Sequence, residues 1–214
     1  VNQRSNPAPL IPFALSRSMT ASTPIILASR SPYRAQLLQR LTSAFSQAPA
    51  DVDESIRSGE SAADYVERLS EGKAQTVAAR QNAACLVIGS DQAAVLDDQI
   101  LGKPGSLERG VEMLSQAAGR EVVFHTGLHL LDTGSGRSFV HRDVTRVHFR
   151  PFDAETARRY LERESALDCA GGFRCEGLGI TLFDAIDNQD PTALVGLPLI
   201  AVARGLRELG FDPL

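Results

Sequence analysis

Asp91 is the residue whose surroundings fit it least. It is a carboxylate set between two apolar runs, Cys85-Leu86-Val87-Ile88 and Ala93-Ala94-Val95-Leu96. An ionised acid with strand-like neighbours on both sides is costly unless a cation, a metal ion or hydrogen-bond donors meet it, and carboxylates held this way gather at functional sites. The competing reading is an aspartate satisfied by the backbone N–H groups of a turn at Gly89-Ser90. Two lysines could supply a cation. Lys73 stands four residues from both Leu69 and Val77 on the apolar stripe of a helix. It is either a lysine snorkelling from a helix end or an ammonium held inside a cleft for a phosphate. Lys103, between Gly102 and Pro104, sits on an ordered loop able to approach the same cleft; with no GxxxxGKS or GxxxxGKT in the chain, it is not a P-loop lysine. A further basic centre follows Ile25-Ile26-Leu27-Ala28, which reads as a buried strand. Ser29-Arg30-Ser31 is a short loop, and Pro32 suits the first position of a helix capped by Ser31. The free N–H groups of that helix start, with Arg30 and Arg34, make an anion site; the alternative is an ordinary strand–helix unit with solvated arginines. Glu176 lies in the glycine-rich stretch 170–179, where backbone can approach something flat or bulky. It is a candidate ligand contact or a solvated loop acid.

The elements that must hold these residues follow from periodicity and turn chemistry. Leu37, Leu38 and Leu41 stripe the first helix. Asp51, Asp53 and Glu54 crowd a loop that reads as a solvated turn. Ser61 caps a second helix with Asp64 three residues on, and Tyr65, Leu69 and Val77 mark its buried face. The run Cys85–Ile88 is a strand, Asp97-Asp98 a hairpin turn, and Ile100-Leu101 the return. Ser106 starts a third helix that Gly119 ends. Residues 121–149 alternate as antiparallel strands around the turn Asp132–Gly136, Asp153 caps a fourth helix, 180–183 reads as a strand, and Pro198 opens a last helix that Gly210 stops. Gly177-x-Gly179 lacks the third glycine of a dinucleotide fingerprint and opens no helix, so a Rossmann reading is rejected.

Bulk properties bound the partners. A chain of 214 residues is long enough for one generous domain with two lobes around a cleft. The net charge of −4 gives no field that would draw the protein to nucleic acid or anionic lipid, so any nucleotide must be held by a local basic cluster. No run is apolar enough to span a bilayer. Three cysteines, Cys85, Cys169 and Cys175, make no disulfide framework and suggest a reducing compartment. The four histidines, His125, His129, His141 and His148, all fall in the antiparallel stretch with no zinc-ligand spacing. Residues 1–22 hold prolines, serines, Arg4 and Arg17 but no acid. They read as a disordered extension with a faint likeness to a transit peptide, Met19 being a natural first residue, and 23–214 as one domain.

Six short motifs then line up in order: ILASRSPYR from Ile25, EGKAQ at 71–75, IGSDQ at 88–92, LGKP at 101–104, AGGF at 170–173 and LVGLPL at 194–199. Together they resemble the Maf-type nucleoside triphosphate pyrophosphatases. The resemblance implies a cytoplasmic α/β enzyme, often dimeric, with an elongated mixed β-sheet flanked by helices and two lobes around a cleft, like inosine triphosphate pyrophosphatases. It implies hydrolysis between the α and β phosphates of a non-standard nucleotide with a divalent cation, Mg2+ or Mn2+. Members acting on dTTP and UTP usually show SPRR and SDT, whereas this chain has Ser31-Pro32-Tyr33-Arg34 and Ser90-Asp91-Gln92, with Glu176 in the glycine loop. That looks like the 7-methyl-GTP pyrophosphatase branch, some of whose members carry Trp where Tyr33 stands. On this resemblance Asp91 is the general base or the metal-anchoring carboxylate, with Glu54 beside the metal. Ser29, Arg34, Lys73 and Lys103 hold the phosphates, and Tyr33, Gln92 and Glu176 read the base. The alternatives are a dTTP/UTP pyrophosphatase of the same family and a non-catalytic regulator of septum formation.

Overall fold

Eleven residues, Leu86–Leu96, form one uninterrupted strand. The two apolar runs either side of Asp91 are therefore not separate strands, and no turn intervenes at Gly89-Ser90. Asp91 sits at mid-strand, paired across the ladder with Gly127. In the computed structural model, which describes residues 23–164 and 166–214, this strand is β3. It is preceded by β1 (Ile25–Leu27), α1 (Pro32–Leu38), β2 (Phe45–Gln47) and α2 (Ala62–Ala78). It is followed by β4 (Gln99–Leu101), α3 (Leu107–Ala117), β5 (Glu121–Asp132), β6 (Ser138–Phe149), α4 (Ala154–Arg163), β7 (Phe183–Asp187) and α5 (Leu199–Glu208). The extension read at residues 1–22 lies outside the described residues.

The sheet runs β2-β1-β3-β5-β6-β7, with β4 paired to the far half of β3. The β1 pairings are parallel and the β3–β5, β5–β6, β6–β7 and β3–β4 pairings antiparallel, so the sheet is mixed. Asp97 and Asp98 both take positive φ, the backbone a two-residue hairpin turn requires. The helix starts are chemically capped. Ser31, Ser61, Ser106 and Asp153 each accept the backbone N–H three residues on.

Alternation along β3 separates three surroundings. On one face Leu86 and Ile88 join Leu128, Leu130, Leu38, Val202 and Leu206 in a core between the sheet and α1 and α5. Further along that face Ala94 and Leu96 join Phe124, Val147, Leu114, Leu161 and Phe173 in a second core under α3 and α4. On the opposite face Val87 packs with Ile26, Ala74 and Val77 of α2. Between the two large cores the strands turn polar: Ser90, Asp91, Gln92 and Thr126. This waist is where the candidate chemistry lies.

The 180–183 stretch differs from its sequence reading. Leu178–Leu182 is a 3-10 turn and the strand begins at Phe183. Its apolar run does not alternate into the core; Ile180 is 53% exposed while Leu182 is buried.

Candidate active site

Asp91 projects from β3 toward α2, where its partner is Lys73. The Lys73 Nζ donates to Asp91 Oδ1 at 2.5 Å and lies 2.6 Å from Glu54 Oε1. Lys73 is 8% exposed and Asp91 7%. Lys73 is thus not a snorkelling lysine: its ammonium is buried between two carboxylates, and a cation, not a turn, meets Asp91. The approach depends on two glycines. A Cβ at Gly89 would stand 2.1 Å from the Ser70 carbonyl oxygen, and one at Gly127 2.4 Å from that of Val66. Bare backbone on β3 and β5 lets α2 settle close enough for Lys73 to reach.

Glu54 comes from the loop read as a solvated turn, and its side chain is 55% exposed. The loop is nevertheless tethered. Tyr65 Oη donates to the Glu54 carbonyl at 3.0 Å, and the Arg68 guanidinium donates to the carbonyls of Asp53 and Ser55 while pairing with Glu60. Tyr65 and Arg68 are one helical turn apart on α2, a spacing that could have pointed to them, but their targets are backbone atoms no motif records. Burial, followed by the charges of Asp91 and Glu54, pushes the Tyr65 hydroxyl up to about 12, so it stays a donor. The Glu54 carboxyl is held below its ordinary value: burial would raise it, but the hydrogen bond and charge of Lys73, with Lys103 and Arg34, outweigh that.

Arg34, on α1, donates through Nε to the Gly196 carbonyl at 2.8 Å and reaches Ser29 Oγ at 3.5 Å. Ser29 Oγ also accepts the Ser31 N–H. No carboxylate lies within ion-pair distance of Arg34 among the described residues. Burial lowers its pKa, against the more distant charges of Asp91 and Glu54. A half-buried guanidinium beside a hydroxyl and a helix start can seat an anion.

The even-numbered waist residues serve a different purpose. Ser90 Oγ donates to the Gly196 carbonyl, and the Gln92 amide nitrogen contacts Thr126 Oγ1 and the carbonyls of Ala193 and Leu194 at 2.9–3.1 Å. They hold the segment 193–196 across the sheet, ahead of α5. Gln92, expected beside Tyr33 and Glu176, does not line the groove they share. The sequence reading gave Ser90 and Thr126 no side-chain role, for a buried Ser or Thr in a strand carries no signal of its own.

Tyr33 and Glu176 meet at one groove of about 360 Å3, which Arg174, Gln36, Leu37, Arg40, Pro191, Thr192 and Val195 complete. Asp91 and Lys73 are not in its lining; Arg34, the residue after Tyr33, connects the two regions. The Arg174 guanidinium stacks 4.8 Å from the centroid of the Tyr33 ring, and its Nε donates to Glu176 Oε1 at 3.4 Å. Arg174 went unnoticed in sequence because it is one arginine in a loop. Burial pushes the neighbouring thiols of Cys169 and Cys175 up to about 12, which leaves them protonated and unreactive.

The carboxylates of Asp91 and Glu54 converge on one cationic atom. Two hard oxygen donors of this kind suit Mg2+ or Mn2+ completed by water and phosphate oxygens. Among the described residues no group of three or more His, Cys, Asp or Glu gathers to hold a metal without such help. His125 and His129 share a face of β5, as read, with no such grouping around them. No helix among the described residues is long and apolar enough to cross a membrane.

A family model described as "Maf-like protein" matches residues 24–209. A 7-methyl-GTP pyrophosphatase of Pseudomonas aeruginosa is 51% identical over 188 residues, 88% of this chain and 97% of that protein. One from Xanthomonas oryzae pv. oryzae is 52% identical over 187 residues, 87% and 97% of the respective chains. A solved structure of a nucleoside-triphosphatase, a dITP/XTP pyrophosphatase from Mycobacterium abscessus, aligns with 59% of this chain and 74% of its own at 18% identity and a TM-score of 0.39.

Proposed function

The chain belongs to the Maf-like protein family, and from that premise we propose that it hydrolyses 7-methyl-GTP to 7-methyl-GMP and pyrophosphate. The observation that carries the reading is the buried Asp91 carboxylate held at 2.5 Å by Lys73, with Glu54 on the same ammonium. Relatives sharing half their residues with this chain carry that activity in their names.

In the reaction one water adds across the α–β phosphoanhydride, the bridging bond breaks, and pyrophosphate leaves with the electron pair. Asp91 either takes that water's proton as general base or, as a carboxylate that would hold a cation, orients the water. Lys73, Arg34 and Lys103 meet the charge that builds on the leaving pyrophosphate, and the Ser29 hydroxyl donates to a phosphate oxygen. Asp91 and Glu54 are the residues that would hold a divalent ion, which when bound acidifies water and neutralises phosphate charge. Recognition of the base follows from its chemistry. Methylation at N7 leaves guanine cationic and electron-poor, and the Tyr33 face attracts such a ring by ~0.5–2 kcal/mol. The Glu176 carboxylate accepts the N1 and exocyclic amino hydrogens.

The test is a pyrophosphate-release screen over canonical and modified nucleotides with Mg2+ or Mn2+. The parent should prefer 7-methyl-GTP. Asp91→Asn should lower kcat roughly 100- to 10,000-fold while keeping the parent's circular dichroism. Glu176→Ala should cost more on 7-methyl-GTP than on UTP; an equal loss on both removes the base-recognition part.

A further inference from the structure

Arg174 and N7-methylated guanine are chemically alike where it matters. Each is a planar, delocalised cation that stacks on an aromatic face and presents N–H groups along one edge to a carboxylate. In the free protein Arg174 makes both of those contacts at once, with its guanidinium 4.8 Å from the Tyr33 centroid and Nε 3.4 Å from Glu176 Oε1. We propose that Arg174 is an internal competitor. It fills the Tyr33–Glu176 seat until a cationic guanine displaces it, and it keeps the ring and the carboxylate spaced for that base in the meantime. This rests on the reading of Tyr33 and Glu176 as the base-recognition pair.

The loop can release the side chain without coming apart, because it is held by backbone. The Arg174 N–H donates to Tyr160 Oη at 3.0 Å, and its carbonyl accepts the Gly177 N–H. Glu164 accepts from the Gly179 N–H, and Phe173 is buried among Phe124, Phe149 and Phe183. The Arg174 side chain is 30% exposed, so a path to solvent exists. A ligand that must displace a competitor binds with its dissociation constant divided by the open fraction, and so more weakly. That factor is common to every base that uses the seat and absent for ligands that do not.

The experiment is calorimetric titration of the parent, Arg174→Ala, Arg174→Leu and Tyr33→Leu with 7-methyl-GMP, GMP and pyrophosphate, none of which turns over by this reaction. Both Arg174 variants should bind 7-methyl-GMP and GMP tighter by the same factor, ~3- to 30-fold for a contact of this exposure, with pyrophosphate unchanged. Millimolar guanidinium ion, far below denaturing levels, should compete with 7-methyl-GMP in Arg174→Ala and much less in the parent. Weaker or unchanged nucleotide binding in both Arg174 variants overturns the inference, the weaker case making Arg174 a ligand contact. The base-recognition reading fails separately, if Tyr33→Leu leaves the 7-methyl-GMP affinity where it was.

Discussion

At the scale of single residues, the Lys73–Asp91 pair sets a stability problem as well as a chemical one. Both groups are nearly buried, and a buried ion pair is weak evidence of net stabilisation because desolvation offsets most of the attraction. Removing one member is different, since it strands the other. Lys73→Met leaves the Asp91 carboxylate in the interior without its cation and should cost ~3–5 kcal/mol. Asp91→Asn should cost less, because Lys73 keeps Glu54 at 2.6 Å. The double variant Lys73→Met with Asp91→Leu should regain most of the stability that Lys73→Met alone loses, while remaining inactive. Urea unfolding of the three proteins checks this. A double variant no more stable than Lys73→Met would mean that the lysine is held by packing of its stem and not by its charge.

At the scale of elements, two features of the central strands β3, β5 and β6 have measurable consequences. The first is close backbone contact. Gly89→Ala or Gly127→Ala would drive a methyl into the Ser70 or Val66 carbonyl, so α2 must shift outward. Overpacking of this sort costs ~1–3 kcal/mol and should carry Lys73 off Asp91, lowering kcat as well. Gly136→Ala, at a positive φ but with nothing within 4 Å of the new Cβ, should cost stability alone. The second feature is a set of histidines. His125, His129 and His141 are pushed below their ordinary pKa, chiefly by burial. The unfolded chain then binds more protons in that range, so stability is full above about pH 6.5 and falls as pH drops through the depressed folded values. Melting temperature should therefore drop between pH 7.5 and 5.5, and the drop should shrink in His129→Gln. These elements also show what the residues alone disclosed. Caps at Ser31, Ser61, Ser106 and Asp153, the Asp97-Asp98 turn and the anomaly of Asp91 were legible because each is a local rule. The continuity of β3 through Gly89–Gln92 was not, because a polar patch inside a strand looks like a break until Lys73 and the 193–196 carbonyls satisfy it. Arg174 over Tyr33 was hidden for the same reason: the contact joins positions 141 residues apart.

For the molecule as a whole, the two sides of the base groove belong to different cores. Tyr33 rides on α1, whose Leu37 and Leu38 pack into the core with α5. Arg174 and Glu176 follow Phe173, which is set edge-on against Phe124, Phe149 and Phe183 in the core under α3 and α4. Lys73, which the proposed reading gives to phosphate, sits apart from both, beside Asp91 at the waist. A ligand with a base should consequently tie the two cores together, whereas pyrophosphate alone should engage only the waist. Amide hydrogen exchange distinguishes these cases, because protection reports the local opening free energy. Saturating 7-methyl-GMP should slow exchange in both 32–38 and 170–182, and pyrophosphate should slow it around 29–31 with little change in 170–182. In Tyr33→Leu the nucleotide should lose its effect on 170–182 while keeping its effect at 29–31. Equal protection of 170–182 by pyrophosphate and by 7-methyl-GMP would mean that the glycine loop closes on phosphate, and the groove between the cores would then have no part in reading the base.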